Sequence, residues 1–227
     1  MAGWILPVVT TVLCIISFIF LVRDLDENPK VAKYTDVDGK QRKTVTKSVF
    51  IYSILMTIIT ISISVLLSYL YKDNSIAKSL KSVALLSLLW PIAIVDYRSY
   101  RIPNIFIILG LVYRLIIFFF ELIYQSDLVW MSLLSEVIAA LALLVAALLC
   151  TLGLKNSIGY GDMKLFILMG FLLGLEGIWG AIFLSLIVSF FISAYLLITK
   201  KKTRKDAIPF GPAITIGTFL SICLTGM

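Results

Sequence analysis

Two aspartates stand where this apolar sequence is interrupted. Asp96 ends the apolar run of residues 85–95, and Asp162 lies between a glycine-containing stretch and an apolar run that begins at Leu165. A carboxylate at the end of a membrane helix is costly, and such residues usually mark function. Two carboxylates that share one proton can supply both a base and an acid for hydrolysis. We therefore predict that Asp96 and Asp162 form one site.

The composition indicates a polytopic membrane protein. Of the 227 residues, 60% are hydrophobic and the mean hydropathy is +1.04, whereas soluble domains are about 45–50% apolar. The sequence has no histidine, which excludes Ser-His-Asp and Cys-His catalysis and histidine-bound zinc. Its three cysteines lie singly in apolar runs and form no CxxC pair. We therefore predict neither a metal nor a cofactor.

About eight apolar runs are predicted to be membrane helices, which makes the fold an all-α polytopic bundle. The first run is expected to be a retained helix, because it has no basic segment before it and no small-residue cleavage site after it. The boundary between the sixth and seventh runs is set by a single polar break near Glu176. The runs are 3–22, 49–71, 79–95, 102–124, 131–152, 165–175, a seventh that continues to 198, and a last one that opens at 208–212.

The basic residues predict which side of the membrane each loop occupies. The loops 23–47, 97–101, 154–164 and 200–205 hold sixteen of the 20 Lys and Arg residues. Basic loops stay in the cytoplasm, so both aspartates are predicted to face it, with both termini outside. The net charge of +7 therefore reflects membrane topology and not nucleic-acid binding. Arg98, Arg101 and Lys164 are expected to set this topology and to contact anionic lipids, with contact to a substrate as the alternative.

Three motifs in this order resemble those of the bacterial type IV prepilin peptidases, intramembrane aspartic proteases of the GxGD class. An aspartate is followed six residues later by Ile-Pro-Asn, then comes GxGDxKL, and a Pro-Phe-Gly-Pro helix opening stands near the end. In this chain they are Asp96 with Ile102-Pro103-Asn104, then Gly159-Tyr160-Gly161-Asp162-Met163-Lys164-Leu165, and Pro209-Phe210-Gly211-Pro212. The resemblance covers residues 82–227, about two-thirds of the chain.

The resemblance implies a GxGD aspartyl protease fold and a function. The chain is expected to be one membrane domain, residues 1–227, with N-terminal helices in 1–81, a short cytoplasmic loop at 23–47 and a peptidase core in 82–227. It would cleave the leader peptides of prepilins or pseudopilins at the cytoplasmic face of the bacterial cell membrane. Asp96 and Asp162 would be catalytic. Substrate binding is assigned to Gly159, Gly161, Lys164, Pro209 and Gly211, because the glycines and prolines permit irregular backbone beside a water-filled cavity.

Two departures from the family pattern matter. Many relatives carry two CxxC pairs that bind zinc in the loop between the first two helices, and those pairs are linked to N-methylation of the new pilin terminus. Here that loop has no cysteine, so the resemblance implies a peptidase without the methyltransferase part. The loop is expected to contain a turn at residues 36–40. Relatives often have Glu six residues before the second aspartate, where this chain has Asn156.

Other readings of the intramembrane charges stay open. A small proton-coupled transporter also carries acidic and basic residues inside broken helices, and a non-catalytic pilus assembly factor could share the fold. Arg114 and Glu121 lie seven residues apart on one helix face, which we take as too distant for a direct pair. Glu136 either pairs with Arg114 or faces a cavity. The oligomeric state is left open.

Overall fold

The computed structural model describes residues 4–27, 46–71, 74–124, 126–153, 159–200 and 208–226. These residues form seven helices and no strand, which confirms the all-α prediction. The predicted turn at 36–40, Asn156 and most of the basic loop at 200–205 lie outside the described residues. The helices are α1 (Ile5–Glu27), α2 (Lys47–Leu70), α3 (Ile76–Ser99), α4 (Asn104–Tyr124), α5 (Ser126–Gly153), α6 (Tyr160–Ile198) and α7 (Gly211–Thr225).

Six of the seven helices can cross a membrane by length and composition. A span needs about 20 apolar residues, and α1 to α6 each have at least 21 residues with high hydropathy. The last helix, α7, has 15 residues and is a shorter apolar helix. The protein is thus a multi-pass membrane helix bundle. A continuous hydrophobic core includes buried residues from all seven helices, from Leu6 to Ile222. The division into residues 1–81 and 82–227 stays a prediction.

Helix α3 lies at the centre of the bundle. In its most apolar 18-residue window, 94% of the residues are buried, against 11–33% for the other long helices. Its side chains pack against α1, α2, α4, α6 and α7. Pro91 lies inside α3, a position that membrane helices tolerate when neighbouring helices satisfy the freed backbone groups. Near this proline, the hydroxyl of Thr215 on α7 donates a hydrogen bond to the Leu89 carbonyl at 3.1 Å, which joins α7 to α3.

Helix α6 combines the predicted sixth and seventh spans. Its 39 residues are interrupted at Gly174, whose φ of 64° and ψ of −173° are not helical. A positive φ of this kind favours glycine. The interruption falls one residue before the predicted polar break. Seven helices are therefore observed where about eight spans are expected, because one residue, and not a loop, separates residues 160–173 from 175–198.

The first half of α6 runs from one end of the bundle to the other. At its start, Gly161 lies against Ile102, just beyond the end of α3. At its finish, Gly174 lies against Ser135 of α5, and the nearby Glu176 pairs with Lys78 at the start of α3. We call the end that contains Asp96 and Ile102 the aspartate end, and the end that contains Lys78 and Glu176 the opposite end.

The second half of α6 returns toward the aspartate end beside α7. Helix α7 starts at Gly211, against Asp96, and its Gly226 carbonyl reaches Asn74 at the opposite end. Gly180 lies against Ser221 near the finish of α7, whereas Ser185 lies against Gly217 nearer its start. The two halves of α6 therefore run in opposite directions. With the two halves of α6 counted separately, the described residues form eight helical segments.

Candidate active site

Asp96 lies in the last turn of α3 and is almost fully buried, with 6% of its surface exposed. The backbone N–H of Gly211 donates a hydrogen bond to its Oδ2 at 2.7 Å, and the Phe210 amide faces the same carboxylate. The first N–H groups of a helix have no partner within the helix, so a carboxylate suits this position. A Cβ at position 211 would lie 2.9 Å from Asp96 Oδ2. Only glycine lets the α7 backbone approach Asp96 this closely.

Asp162 lies in the first turn of α6 and is half-buried. Gly159 caps the helix, and its carbonyl accepts a hydrogen bond from the Met163 N–H at 3.2 Å. A Cβ at position 159 would meet the Asp162 carboxylate at 3.2 Å. Gly159 itself is exposed. The glycine therefore leaves open space beside this aspartate.

The chain between α3 and α4 brings the two aspartates to one end of the bundle. Tyr100 ends α3 with a left-handed conformation, φ 52°, and its N–H bonds the Asp96 carbonyl at 2.8 Å. The chain then turns so that Ile102 packs against Gly161, where a Cβ would lie 3.1 Å from the Ile102 Cβ. Asp96 and Asp162 are within electrostatic reach of each other.

A second contact joins the same two segments. The exposed Lys164 donates a hydrogen bond from Nζ to Asn104 Oδ1 at 3.0 Å, which links the first turn of α6 to the start of α4. Pro209 is half-buried in the short non-helical stretch before α7. The next residue, Phe210, packs its ring on Phe166 with centroids 5.9 Å apart. These contacts fix the segments that carry the two carboxylates.

The arginines near the site also have partners. Arg101 pairs with Asp24 of α1 at 2.7 Å, and Arg98 donates to the Thr46 hydroxyl at 2.8 Å before α2. Both contacts tie the N-terminal helices to the loop beside Asp96. Within the described ranges, no group of three or more His, Cys, Asp or Glu residues could hold a metal ion. Two carboxylates with solvent access through Asp162 suit acid–base chemistry on a water molecule.

A buried charged cluster lies at the opposite end of the bundle, and the sequence predicts only part of it. Arg114 and Glu121 do pair, with Nη1 and Oε2 3.1 Å apart, so the prediction that they are too distant is wrong. Two helical turns separate their backbones by about 10.5 Å, and two long side chains that point toward each other cover that distance. Glu136 pairs with Arg114 at 2.6 Å and also lines a cavity. Lys81, which the sequence places near a loop, completes the cluster.

The fold and the site define a class of protein: a polytopic membrane helix bundle with two aspartates at one end. The chain belongs to the type IV leader peptidase family, whose model matches residues 83–198, just over half of the chain. The match contains both aspartates and Lys164. It ends before Pro209 and Gly211.

Curated relatives agree with this assignment. The chain is 29% identical over 145 residues to the "Prepilin leader peptidase/N-methyltransferase" of Bacillus subtilis (strain 168), an alignment that covers 62% of this chain and 54% of the relative. It is 28% identical over 152 residues to the protein of the same name from Pseudomonas putida, with coverage of 63% and 50%. The chain thus spans about half the length of these relatives. No solved structure matches it.

Proposed function

We propose that this protein is a membrane-embedded aspartic endopeptidase that cleaves the leader peptides of type IV prepilins or pseudopilins. The observation that carries the proposal is the position of Asp96 and Asp162. Both aspartates lie inside the residues matched by the family, come from different helices, and lie at the same end of the bundle, close enough for their charges to interact. The relatives' names point to the same substrates.

The two carboxylates would divide the work of hydrolysis. One carboxylate takes a proton from water while the water oxygen attacks the scissile carbonyl carbon, and the other carboxyl group gives its proton to the carbonyl oxygen. The C–N bond of the tetrahedral species then breaks, and the leaving nitrogen takes the proton held by the first group. The second group regains its proton from the new carboxyl product. Asp96, held by Gly211, and Asp162, half-buried beside Gly159, are suited to these complementary steps.

The glycines in the two motifs would have different roles. Gly159 is exposed beside Asp162 and can accept an extended substrate strand. Gly161 packs on Ile102 and Gly211 on Asp96, so both would act by allowing close backbone approach. Lys164 is exposed and could contact substrate as well as Asn104. Pro209 would hold the entry to α7 open.

The distribution of basic residues supports a cytoplasmic site in the bacterial cell membrane. The aspartate end contains Arg98, Arg101 and Lys164, and the predicted basic loops all connect to it. Positive loops remain on the cytoplasmic side, where anionic lipids attract them. The substrate would be a leader with a basic segment before a hydrophobic helix. Cleavage would occur where that helix leaves the membrane.

Peptidase activity without methyltransferase activity is part of the proposal. The relatives' names include both activities. This chain has three cysteines and no CxxC pair in its sequence, so it lacks the zinc-binding residues that the family resemblance links to methylation. Partners beyond the substrate and the lipids are not assigned.

A proton-coupled carrier is the second candidate, and the buried charged cluster at the opposite end is the observation that favours it. Charges inside membrane segments often mark an ion pathway. Every member of the cluster, however, has an oppositely charged partner among the described residues. The peptidase therefore remains the better-supported function. A non-catalytic assembly factor would not need two aspartates held in this geometry.

Cleavage of a model prepilin by the purified protein in lipid nanodiscs tests the proposal. Wild type should cut at the leader junction. Asp96→Asn and Asp162→Asn should each lose at least about a thousandfold in rate, a common scale for a central catalytic group. Glu27→Gln is the matched control, since Glu27 is an exposed acid on α1, and it should cleave like wild type. Full activity in either aspartate variant would mean that this residue is structural and not catalytic. If wild type cleaves none of several leader peptides, the carrier or the assembly factor becomes the better-supported function.

A further inference from the structure

Four buried charges form a closed cluster at the opposite end of the bundle, which we call the ionic quartet: Lys81, Arg114, Glu121 and Glu136. Lys81 Nζ lies 2.5 Å from Glu121 Oε1 and 2.6 Å from Glu136 Oε1. Arg114 lies 3.1 Å from Glu121 Oε2 and 2.6 Å from Glu136 Oε2. Each cation therefore contacts both anions, and the sum of charges is zero. At least 93% of every side chain is buried.

Stabilisation of the fold alone does not explain the ionic quartet. Buried ion pairs are often no more stabilising than apolar side chains of the same volume, because removing charges from water is costly. Arg114 Nη1 and Glu121 Oε2 face each other at 3.1 Å without hydrogen-bond geometry, and Arg114 Nη2 has no hydrogen-bond partner in the described part of the chain. What such a cluster does impose is geometry, since loss of one member leaves an uncompensated buried charge. A role in fixing relative helix positions therefore fits it better.

The quartet joins α3, which carries Asp96, to α4 and α5, and α5 in turn contacts the break in α6, the helix that carries Asp162. Lys81 is on α3, the helix whose last turn contains Asp96, and Glu136 is on α5, beside the break in α6. Ser135, next to Glu136, accepts a hydrogen bond from the Leu175 N–H at 3.1 Å, which the break at Gly174 places there. Lys78 adds an ion pair to Glu176 at 3.1 Å. The far ends of α3 and of the first half of α6 are thus held at one place.

Both helices then extend from this place to the active site. Fifteen residues separate Lys81 from Asp96, and twelve separate Gly174 from Asp162, which correspond to about 22 Å and about 18 Å of helix. A tilt of about 3° at the quartet would shift a helix end at such a distance by about 1 Å. A misplacement of about 1 Å can cost on the order of a hundredfold in rate.

We propose that Lys81, Arg114, Glu121 and Glu136 are positioning residues that set the separation of Asp96 and Asp162 from the opposite end of the bundle. The inference rests on the proposed function and adds residues that position the same active site. Three members of the quartet, Lys81, Glu121 and Glu136, also line a cavity of about 440 Å³. The quartet touches no substrate at the aspartate end. Its effect on catalysis is indirect and should appear in kcat and not in KM.

Paired substitutions test the electrostatic part of the inference. Lys81→Met leaves two buried carboxylates opposite one guanidinium, and we expect kcat to fall about a hundredfold with KM within about twofold of wild type. Adding Glu136→Gln restores neutrality and keeps an amide oxygen for Arg114. This double variant should recover kcat to within about tenfold of wild type. The exposed pair Arg23–Glu27 supplies matched controls, Arg23→Met and Glu27→Gln, which should leave kcat unchanged.

A distance measurement separates positioning from a general loss of stability. Spin labels on Tyr97→Cys and Tyr160→Cys, both more than 70% exposed and next to the aspartates, report the separation of the two helix ends. The native cysteines are replaced by alanine in this background. Lys81→Met should shift or broaden the distance distribution in folded protein, and the added Glu136→Gln should narrow it again. An unchanged distribution would overturn the inference.

A milder variant covers the case in which Lys81→Met does not fold. Ser135→Ala keeps all four charges but removes the acceptor of the Leu175 N–H, so it should broaden the same distribution and lower kcat about fivefold. Unchanged distances and unchanged kcat in Ser135→Ala and in the double variant would overturn the inference. If wild type cleaves no prepilin, the proposed function fails, whereas the label distances still decide whether the quartet positions the helix ends.

Discussion

Asp96 and Gly211 lie 115 residues apart in sequence and are joined by a hydrogen bond of 2.7 Å from the Gly211 N–H to Asp96 Oδ2. The bond connects the last turn of the central helix α3 to the first turn of α7. It gives a buried carboxylate one defined donor in an apolar bundle, where an unsatisfied polar group would be costly. The position of Asp96 therefore depends on where α7 begins.

Gly211→Ala should lower the rate of prepilin cleavage about a hundredfold without unfolding the protein. The new Cβ would lie 2.9 Å from both Cβ and Oδ2 of Asp96, so either the aspartate or the start of α7 must move, and displacements near 1 Å have this cost. Measurement of kcat and of the thermal unfolding midpoint in the same nanodiscs separates activity from stability.

Gly180→Ala is the matched control for that substitution. Its Cβ would meet only the Ser221 hydroxyl at 2.8 Å, a side-chain atom that can rotate away. Cleavage by Gly180→Ala should equal that of wild type. Wild-type kcat in Gly211→Ala would mean that the close approach of α7 to Asp96 has no catalytic importance.

The contact between Lys164 and Asn104 predicts a coupled pair. Lys164 Nζ donates to Asn104 Oδ1 at 3.0 Å and so joins α6, which carries Asp162, to the start of α4, which follows the turn after Asp96. A hydrogen bond of about 1 kcal/mol corresponds to about fivefold, so Lys164→Met and Asn104→Ala should each lower kcat by about that factor. If the two residues act as one tether, the double variant should be no worse than either single variant.

Steady-state kinetics of wild type, Lys164→Met, Asn104→Ala and the double variant test whether the two residues act as one tether. Direct contact of Lys164 with substrate would instead raise KM in Lys164→Met alone, and the two losses would then multiply. That pattern would move Lys164 from a tether between segments to a substrate-binding residue.

Much of this fold can be predicted from the sequence because long apolar runs have few alternatives to helices in a membrane. Asp96 and Asp162 could also be assigned to one side by counting basic residues, since the positive-inside bias acts on loops that are readable from sequence. The reversal at Gly174 could not be predicted in the same way. A single residue with positive φ replaces the polar loop that usually separates two spans, and the surrounding glycine-rich run contains several equivalent candidates.

The ionic quartet could not be predicted from the sequence for a different reason. The predicted run 79–95 places Lys81 close to its start, whereas α3 begins at Ile76, so Lys81 lies in its second turn inside the bundle. The backbone spacing of Arg114 and Glu121 predicts no direct pair, because it does not include the reach of their side chains. Pairing across three helices depends on how α3, α4 and α5 pack, and no local pattern contains that information. Two acidic and two basic residues inside apolar runs were the available signal.

Chemical labelling of introduced cysteines checks the proposed membrane orientation. Tyr160 at the aspartate end is 81% exposed, and the Glu176 side chain at the opposite end is 72% exposed. With the three native cysteines replaced by alanine, a maleimide that cannot cross membranes should label Glu176→Cys in intact cells and should not label Tyr160→Cys. Permeabilised cells should show labelling at both positions, which is the control for reactivity. Because the first half of α6 runs from one end of the bundle to the other, one helix provides both reporters. Labelling of Tyr160→Cys alone in intact cells would place Asp96 and Asp162 outside the cytoplasm and contradict cleavage at that face.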